Sequence, residues 1–304
     1  MHLRILAVPA VAGLALIGCG SDNNSTGNSP AATATASASP TPAPCATGTI
    51  TASGSTALQP LVQKAADAYQ AKCAGSTITV SGGGSSTGLS NVASGTSDIG
   101  DSDVPVTNTP SIDATSVKDH QVAIVVFAIV TNPGAGVSNL TTAQVRDVFS
   151  GKVTNWKDVG GANVPVTLIE RKPGSGTRLS FDKDIMQGTA ESTTPAQTQD
   201  STQLVLTGVA DKNLPGAVSY IAVGSANSTV TVVSLDGSAP NADNVKSGKY
   251  HYFSHEHMYT KTTASPLAES FIGFLLSSDF QTTTVPQLGY LPVNTTTEQS
   301  LADK

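Results

Sequence analysis

Three segments of this chain share one grammar: a β-like run, a turn of Gly with Ser or Thr, then a helix start. They are Gly54-Ser55-Thr56-Ala57, Gly84-Ser85-Ser86-Thr87 and Gly174-Ser175-Gly176-Thr177. Repeated strand–turn–helix units build an α/β sheet. Each turn also delivers the N-terminus of a helix, where unpaired backbone N–H groups and a partial positive charge favour anions. Glycine lets the backbone come close to a ligand, and the hydroxyls add donors. One such turn is an ordinary helix cap. Three in one chain, the third preceded by Glu170-Arg171-Lys172, point to an oxyanion, because Arg offers a planar fork of donors. No loop ends in Gly-Lys-Ser/Thr, which argues against a nucleotide P-loop.

The elements around these turns follow from periodicity. Gly48–Ser53 reads as a strand, and Leu58–Lys72 as a helix with Pro60 near its start. Thr77–Ser81 is a second strand, Leu89–Ser94 a weak helix and Asp98–Gly100 a third strand running into Asp101-Ser102-Asp103. Gln121–Thr131 is nearly all apolar, so it predicts a buried strand or strand pair. Thr141–Phe149 predicts a helix capped by Thr141; Val164–Arg171 predicts a strand, and a helix follows to about Met186. Ala217–Val223 and Thr229–Leu235 read as strands, and Leu267–Leu276 as an apolar-faced helix.

The first 45 residues are of another kind. An apolar run from Ile5 to Ile17 follows Arg4 and ends in Leu16-Ile17-Gly18-Cys19. Its 13 residues are too few for a bilayer-spanning helix, which needs about 20. Residues 1–18 therefore read as a secretion signal. The closing tetrapeptide resembles the lipobox of bacterial lipoproteins, which implies lipidation of Cys19. Residues 19–45 are rich in Ser, Thr, Ala and Pro without apolar periodicity, the composition of a disordered tether. Two cysteines remain, Cys45 and Cys73. In an oxidising compartment they read as a disulfide, with two buried free thiols as the alternative.

Charged residues make up only 12% of the chain, about half the usual share, and the net charge is −6. With no basic block, nucleic acid is excluded as the main partner.

The stretches ITASGSTALQPL, VSGGGSSTGL, SDIGDSD, VFSGKVTNWKDVGG, ERKPGSGTRLSF and PLAESFIGFLLS, in this order, resemble the phosphate-binding lipoproteins of Pst-type ABC importers. The likeness covers residues 48–293. It implies an α/β, two-lobed type-2 periplasmic-binding-protein fold with the ligand cleft between the lobes. Lobe 1 would take residues 46–130 and return at 255–304; lobe 2 would take 131–254. The resemblance further implies a phosphate site made of Ser55, Thr56, the Ala57 backbone, Ser85, Asp103, Arg171, Ser175, Gly176 and Thr177. Asp103 would accept a proton of the bound phosphate. Asp101 departs from a family position that is often small, and a second carboxylate there must point away or pair with a cation such as Arg178.

The expected function is extracytoplasmic capture of inorganic phosphate and delivery to ABC permease subunits. The expected protein is a lipid-anchored monomer in the cell envelope, with no cofactor or metal. Another oxyanion, or sensing without transport, is the alternative on the same scaffold. Gly84-Ser85-Ser86-Thr87-Gly88 also matches the Gly-x-Ser-x-Gly elbow of serine hydrolases, with Ser86 as nucleophile, but that reading leaves the other two turns unexplained. His251, His255 and His257 lie close in sequence, yet their spacing fits no short metal-ligand motif.

Overall fold

A computed structural model describes residues 44–295, all within one compact unit. The leader at 1–18, Cys19 and the tether up to residue 43 lie outside the described residues.

The chain begins with β1 (Gly48–Gly54), α1 (Gln59–Lys72), β2 (Ser76–Ser81), α2 (Ser85–Ser94) and β3 (Ile99–Ser102). A long strand, β4 (Val117–Thr131), comes next. Then follow β5 (Asn139–Leu140), α3 (Thr142–Phe149), β6 (Thr167–Arg171), α4 (Gly176–Phe181) and a π turn over Asp182–Met186. The remainder is β7 (Gln197–Gln199), α5 (Thr202–Val209), β8 (Ala217–Ala222), β9 (Thr231–Leu235), α6 (Ala242–Lys246), β10 (Phe253–Lys261), α7 (Pro266–Leu275), α8 (Ser278–Gln287) and β11 (Tyr290–Pro292).

The strands join in the order β2-β1-β3-β10-β4-β8-β6-β7. The apolar run forms one 15-residue strand, not a pair. Its first part pairs antiparallel with β10 and β11, and its last residues, Phe127–Thr131, with β8 and β9. One strand thus ties two halves of the sheet together. A strand buried on both faces needs such a continuous apolar sequence. The segment from His251 to Thr260, mixed in pattern, is β10, and it brings the chain back between β3 and β4.

Local chemistry accounts for the helix ends. Thr141 forms a full capping box with Gln144 at the start of α3. α2 starts at Ser85, inside the glycine turn itself and earlier than its apolar spacing predicts, because the turn supplies its first N–H groups. The main core runs across both halves. In it Phe181 stacks on Tyr220 at 4.1 Å, with Phe149 and Tyr252 packed edge-on against Phe181. Trp156 is fully buried and donates its indole N–H to the Gly216 carbonyl at 2.9 Å.

Cys45 and Cys73 are joined by a disulfide with Cα atoms 5.3 Å apart. It closes β1 and α1 into one loop. In the chain-entropy model a loop of this size contributes about 3–4 kcal/mol.

Candidate functional site

The three glycine turns converge where the two sheet halves meet. The first follows β1. Its Ser55 Oγ accepts the N–H groups of Ala57 and Leu58, both at 3.0 Å, and donates to Asp103. Gly54 has φ 142°, and a Cβ there would lie 2.1 Å from the Asp101 carbonyl, so only glycine admits β3 so close. In the second turn, Ser85 Oγ accepts the Asp103 N–H at 3.1 Å, and the Ser86 N–H donates to the Gly174 carbonyl at 3.0 Å. The third turn follows β6. Thr177 Oγ1 donates to Asp103 Oδ2 at 2.8 Å, while Ser175 caps α4. A Cβ on Gly176 would meet Ser85 Oγ at 2.2 Å, so the second and third turns touch only because that residue is glycine.

Arg171 ends β6 and is 1% exposed. Its Nη2 donates to Thr56 Oγ1 at 3.0 Å and to the Asp200 carbonyl at 3.2 Å, and its Nη1 lies 3.5 Å from Thr177 Oγ1. Its Nε is buried with no partner. Such a donor is costly to leave unmade, so it marks a place for an acceptor. All nine residues expected in the site are buried, and these contacts bring them into one cluster. The Ala57 N–H turns inward onto Ser55, as the Ser55 and Thr177 hydroxyls turn onto Asp103.

The electrostatics of the cluster are dominated by burial. Burial raises Asp103 above the usual carboxylate range, and the Ser55 and Thr177 hydroxyls and the Arg171 charge pull it back. Burial lowers Arg171, and Asp103 opposes that; a guanidinium stays charged regardless. Asp101 is 1% exposed, and neither carboxylate oxygen has a partner. Burial, then the charge of Asp103, push it well above the ordinary value. Both effects favour the neutral form of Asp101. Asp101 does not pair with Arg178, whose partners are Glu170 and Glu191.

Arg178 has another task. It pairs with Glu191 and, at 3.5 Å, with Glu170, and it donates to the Arg171 carbonyl. Burial pushes Glu191 up to about 8, against the pull of Arg178. This group fixes the backbone beneath Arg171.

Sequence patterns missed three neighbours. Thr202 donates its N–H to Thr56 Oγ1 at 3.2 Å from the start of α5, a helix that the sequence reading did not find. Tyr290 of β11 donates to the Ala57 carbonyl. Glu256 of β10 lies in the cluster fully buried. No local motif announces any of them; the sheet brings them in.

The histidine segment sits elsewhere in the β4–β10 pair. His255 bonds to Gln121, His257 to Asp119 and His120 to Thr260. Among the described residues no group of three or more His, Cys, Asp or Glu side chains is arranged to hold a metal ion.

The model of the PBP superfamily domain matches residues 39–279. The phosphate-binding protein PstS of Bacillus subtilis (strain 168) is 42% identical over 248 residues, 81% of each chain. A solved structure of a putative phosphate ABC transporter substrate-binding protein with bound phosphate, from Clostridium perfringens, superposes with a TM-score of 0.74 at 27% identity. It covers 81% of this chain and 99% of that one. An ABC-type phosphate transport receptor from Vibrio cholerae gives a TM-score of 0.62 at 26% identity, over 80% of this chain and 99% of its own. The architecture is the two-lobed α/β type-2 periplasmic-binding-protein fold, with its cleft between the lobes. With this superfamily match and a relative 42% identical along most of its length, the chain belongs to the PstS family of phosphate-binding proteins.

Proposed function

We propose that this protein captures inorganic phosphate outside the cytoplasm and delivers it to an ABC importer. It is a substrate-binding protein and not an enzyme, which removes the Ser86 hydrolase reading. One observation carries the assignment of its site. Asp103 and Arg171, an acceptor and a fork of donors, are both buried and both reach Thr177 Oγ1 where turns from both sheet halves meet. A protonated oxyanion needs both. Ser55, Thr56, Ser85, Ser175, Gly176 and Thr177 complete the set of donors around it, with the Ala57 N–H available once Ser55 turns to the ligand. A carboxylate has about four lone-pair sites, so Asp103 can receive the phosphate O–H whether or not the Ser55 and Thr177 hydroxyls have turned from it to the ligand.

Closure follows from the same contacts. The Thr177–Asp103, Arg171–Thr56 and Ser86–Gly174 bonds all cross from one half to the other. An anion held by both sides favours the closed form, a hinge mechanism. The lobes are taken as 46–130 with 255–304, and 131–254. In a strain lacking the gene, phosphate uptake at limiting phosphate should fall sharply and return with the wild-type gene. Unchanged uptake counts against delivery.

The leader at 1–18 exports the chain, Cys19 carries the lipid, and the 19–45 tether holds a monomeric domain at the membrane. This part rests on the Leu16–Cys19 tetrapeptide after its short apolar run. Mass spectrometry of the mature protein should find an acylated Cys19 as the N-terminus, and Cys19→Ala should yield a soluble or unprocessed form. An unmodified N-terminus at another residue would refute the anchor.

A further inference from the structure

Asp103 has a second buried acid against it. β3 and β10 run antiparallel with Ser102 opposite His257 and Asp101 opposite Met258. Continuing that register by one residue sets Glu256 across from Asp103. The Ser254 hydroxyl, two residues before Glu256, donates to the Asp103 carbonyl at 2.6 Å and ties the two strands there. Glu256 is fully buried. With both acids drawn as carboxylates, neither Glu256 oxygen has a donor. The two carboxyls act on each other, and one proton between them would give Glu256 the partner it lacks.

The surroundings decide which acid keeps that proton. Asp103 takes donors from Ser55 and Thr177 and has Arg171 nearby. Glu256 has none of these. The Tyr290 hydroxyl, facing it from β11, is committed to the Ala57 carbonyl. On β4, Asp119 is bonded to His257 and His120 to Thr260; on β10 itself, His255 is bonded to Gln121. Asp101, the remaining titratable group facing it, acts on it only through space.

We propose that Glu256 is a positioning residue for anion choice: it keeps its proton and donates a hydrogen bond to Asp103 through it. Asp103 thereby keeps its negative charge, and its free lone pairs remain open to the O–H of the bound phosphate. The proposal rests on the reading of this cluster as the phosphate site. Burial first, then the charge of Asp103, hold the Glu256 carboxyl well above the ordinary range, as a donor requires.

The sign of one substitution separates a donor from a bystander. If Glu256 were a like charge, removing it would make Asp103 easier to ionise. As a donor, its removal makes Asp103 easier to protonate. A protonated Asp103 can donate to sulfate, so selectivity is lost. Phosphate and sulfate are titrated on wild type, Glu256→Gln and Glu256→Leu from about pH 5 to 8, the span in which a raised carboxyl moves. The amide of Glu256→Gln still donates, and its phosphate-to-sulfate ratio should stay within about threefold of wild type. Glu256→Leu offers no donor; its ratio should fall about tenfold at neutral pH, and further as pH drops. A ratio unchanged in Glu256→Leu, or moved alike in both variants, overturns the proposal.

A second readout does not need the Leu variant to fold. The wild-type minus Glu256→Gln infrared difference spectrum at neutral pH should contain a protonated-carboxyl band, with the contributions of Asp101 and Glu191 common to both proteins; no such difference overturns the proposal. A wild type that binds no phosphate would instead defeat the phosphate reading, and the infrared comparison would still judge Glu256.

Discussion

Replacing Arg171 by Ala should weaken phosphate binding by about 30-fold to several-thousand-fold. The range corresponds to about 2–5 kcal/mol for removing a charged hydrogen-bond partner from a buried ion. Arg171 is the cation buried beside Asp103, and its loss strips donors from Thr56 Oγ1 and the Asp200 carbonyl as well as from the ligand. The unpartnered Nε would go with it. Arg171→Lys should recover only part of the affinity, because one ammonium does not reproduce a planar fork. Calorimetric titration of the three proteins checks this. Wild-type affinity in Arg171→Ala would place the anion elsewhere.

The second large effect concerns which anion is accepted. Phosphate near neutral pH carries at least one proton, and sulfate carries none. An ionised Asp103 only accepts hydrogen bonds, so it welcomes the phosphate O–H and faces sulfate with unpaired, repelling lone pairs. Sites that hydrogen-bond one group of a ligand reject the analogue lacking it by about 10⁴-fold or more, because their own buried atoms are left unsatisfied. Asp103→Asn presents an amide N–H that can turn toward sulfate. Discrimination should shrink by about two orders of magnitude or more, even where phosphate affinity changes little. Arsenate, protonated like phosphate, should compete in wild type. Asp101→Asn should leave selectivity near wild type, since Asp101 touches neither Arg171 nor the hydroxyl donors. Relaxed selectivity in Asp101→Asn instead of Asp103→Asn would transfer the role to Asp101.

The three turns are legible in the sequence because each is local: glycine, hydroxyl and helix start fall within four residues. Arg171 is legible for the same reason, since it immediately precedes the third turn. The apolar run over 121–131 announces a buried strand, but its true start at Val117 is hidden. Its first residues, Lys118-Asp119-His120, are polar because they lie toward the sheet margin, where Asp119 and His120 find partners on β10. α5 and α8 escape detection for a different reason. α5 has too few polar residues to show a face, and α8 is mostly Thr, Ser and Gln with Pro286 inside it. Glu256 is illegible locally. Its sequence neighbours are two histidines, whose spacing fits no short ligand motif. Its partner, Asp103, stands 153 positions away and is brought beside it only by the antiparallel pairing of β3 and β10. Arg178 shows the same limit from the other side: a cation near the third turn looks like a partner for Asp101 until Glu170 and Glu191 are seen to hold it.

The most direct measurement is competitive titration of the purified wild-type chain, freed of bound anion, with phosphate and sulfate at neutral pH and fixed ionic strength. A buried Arg171 near an acceptor-only Asp103 predicts saturable phosphate binding at one site, with sulfate weaker by about 10⁴-fold or more. Sulfate bound as tightly as phosphate, or no binding of phosphate, would contradict the account.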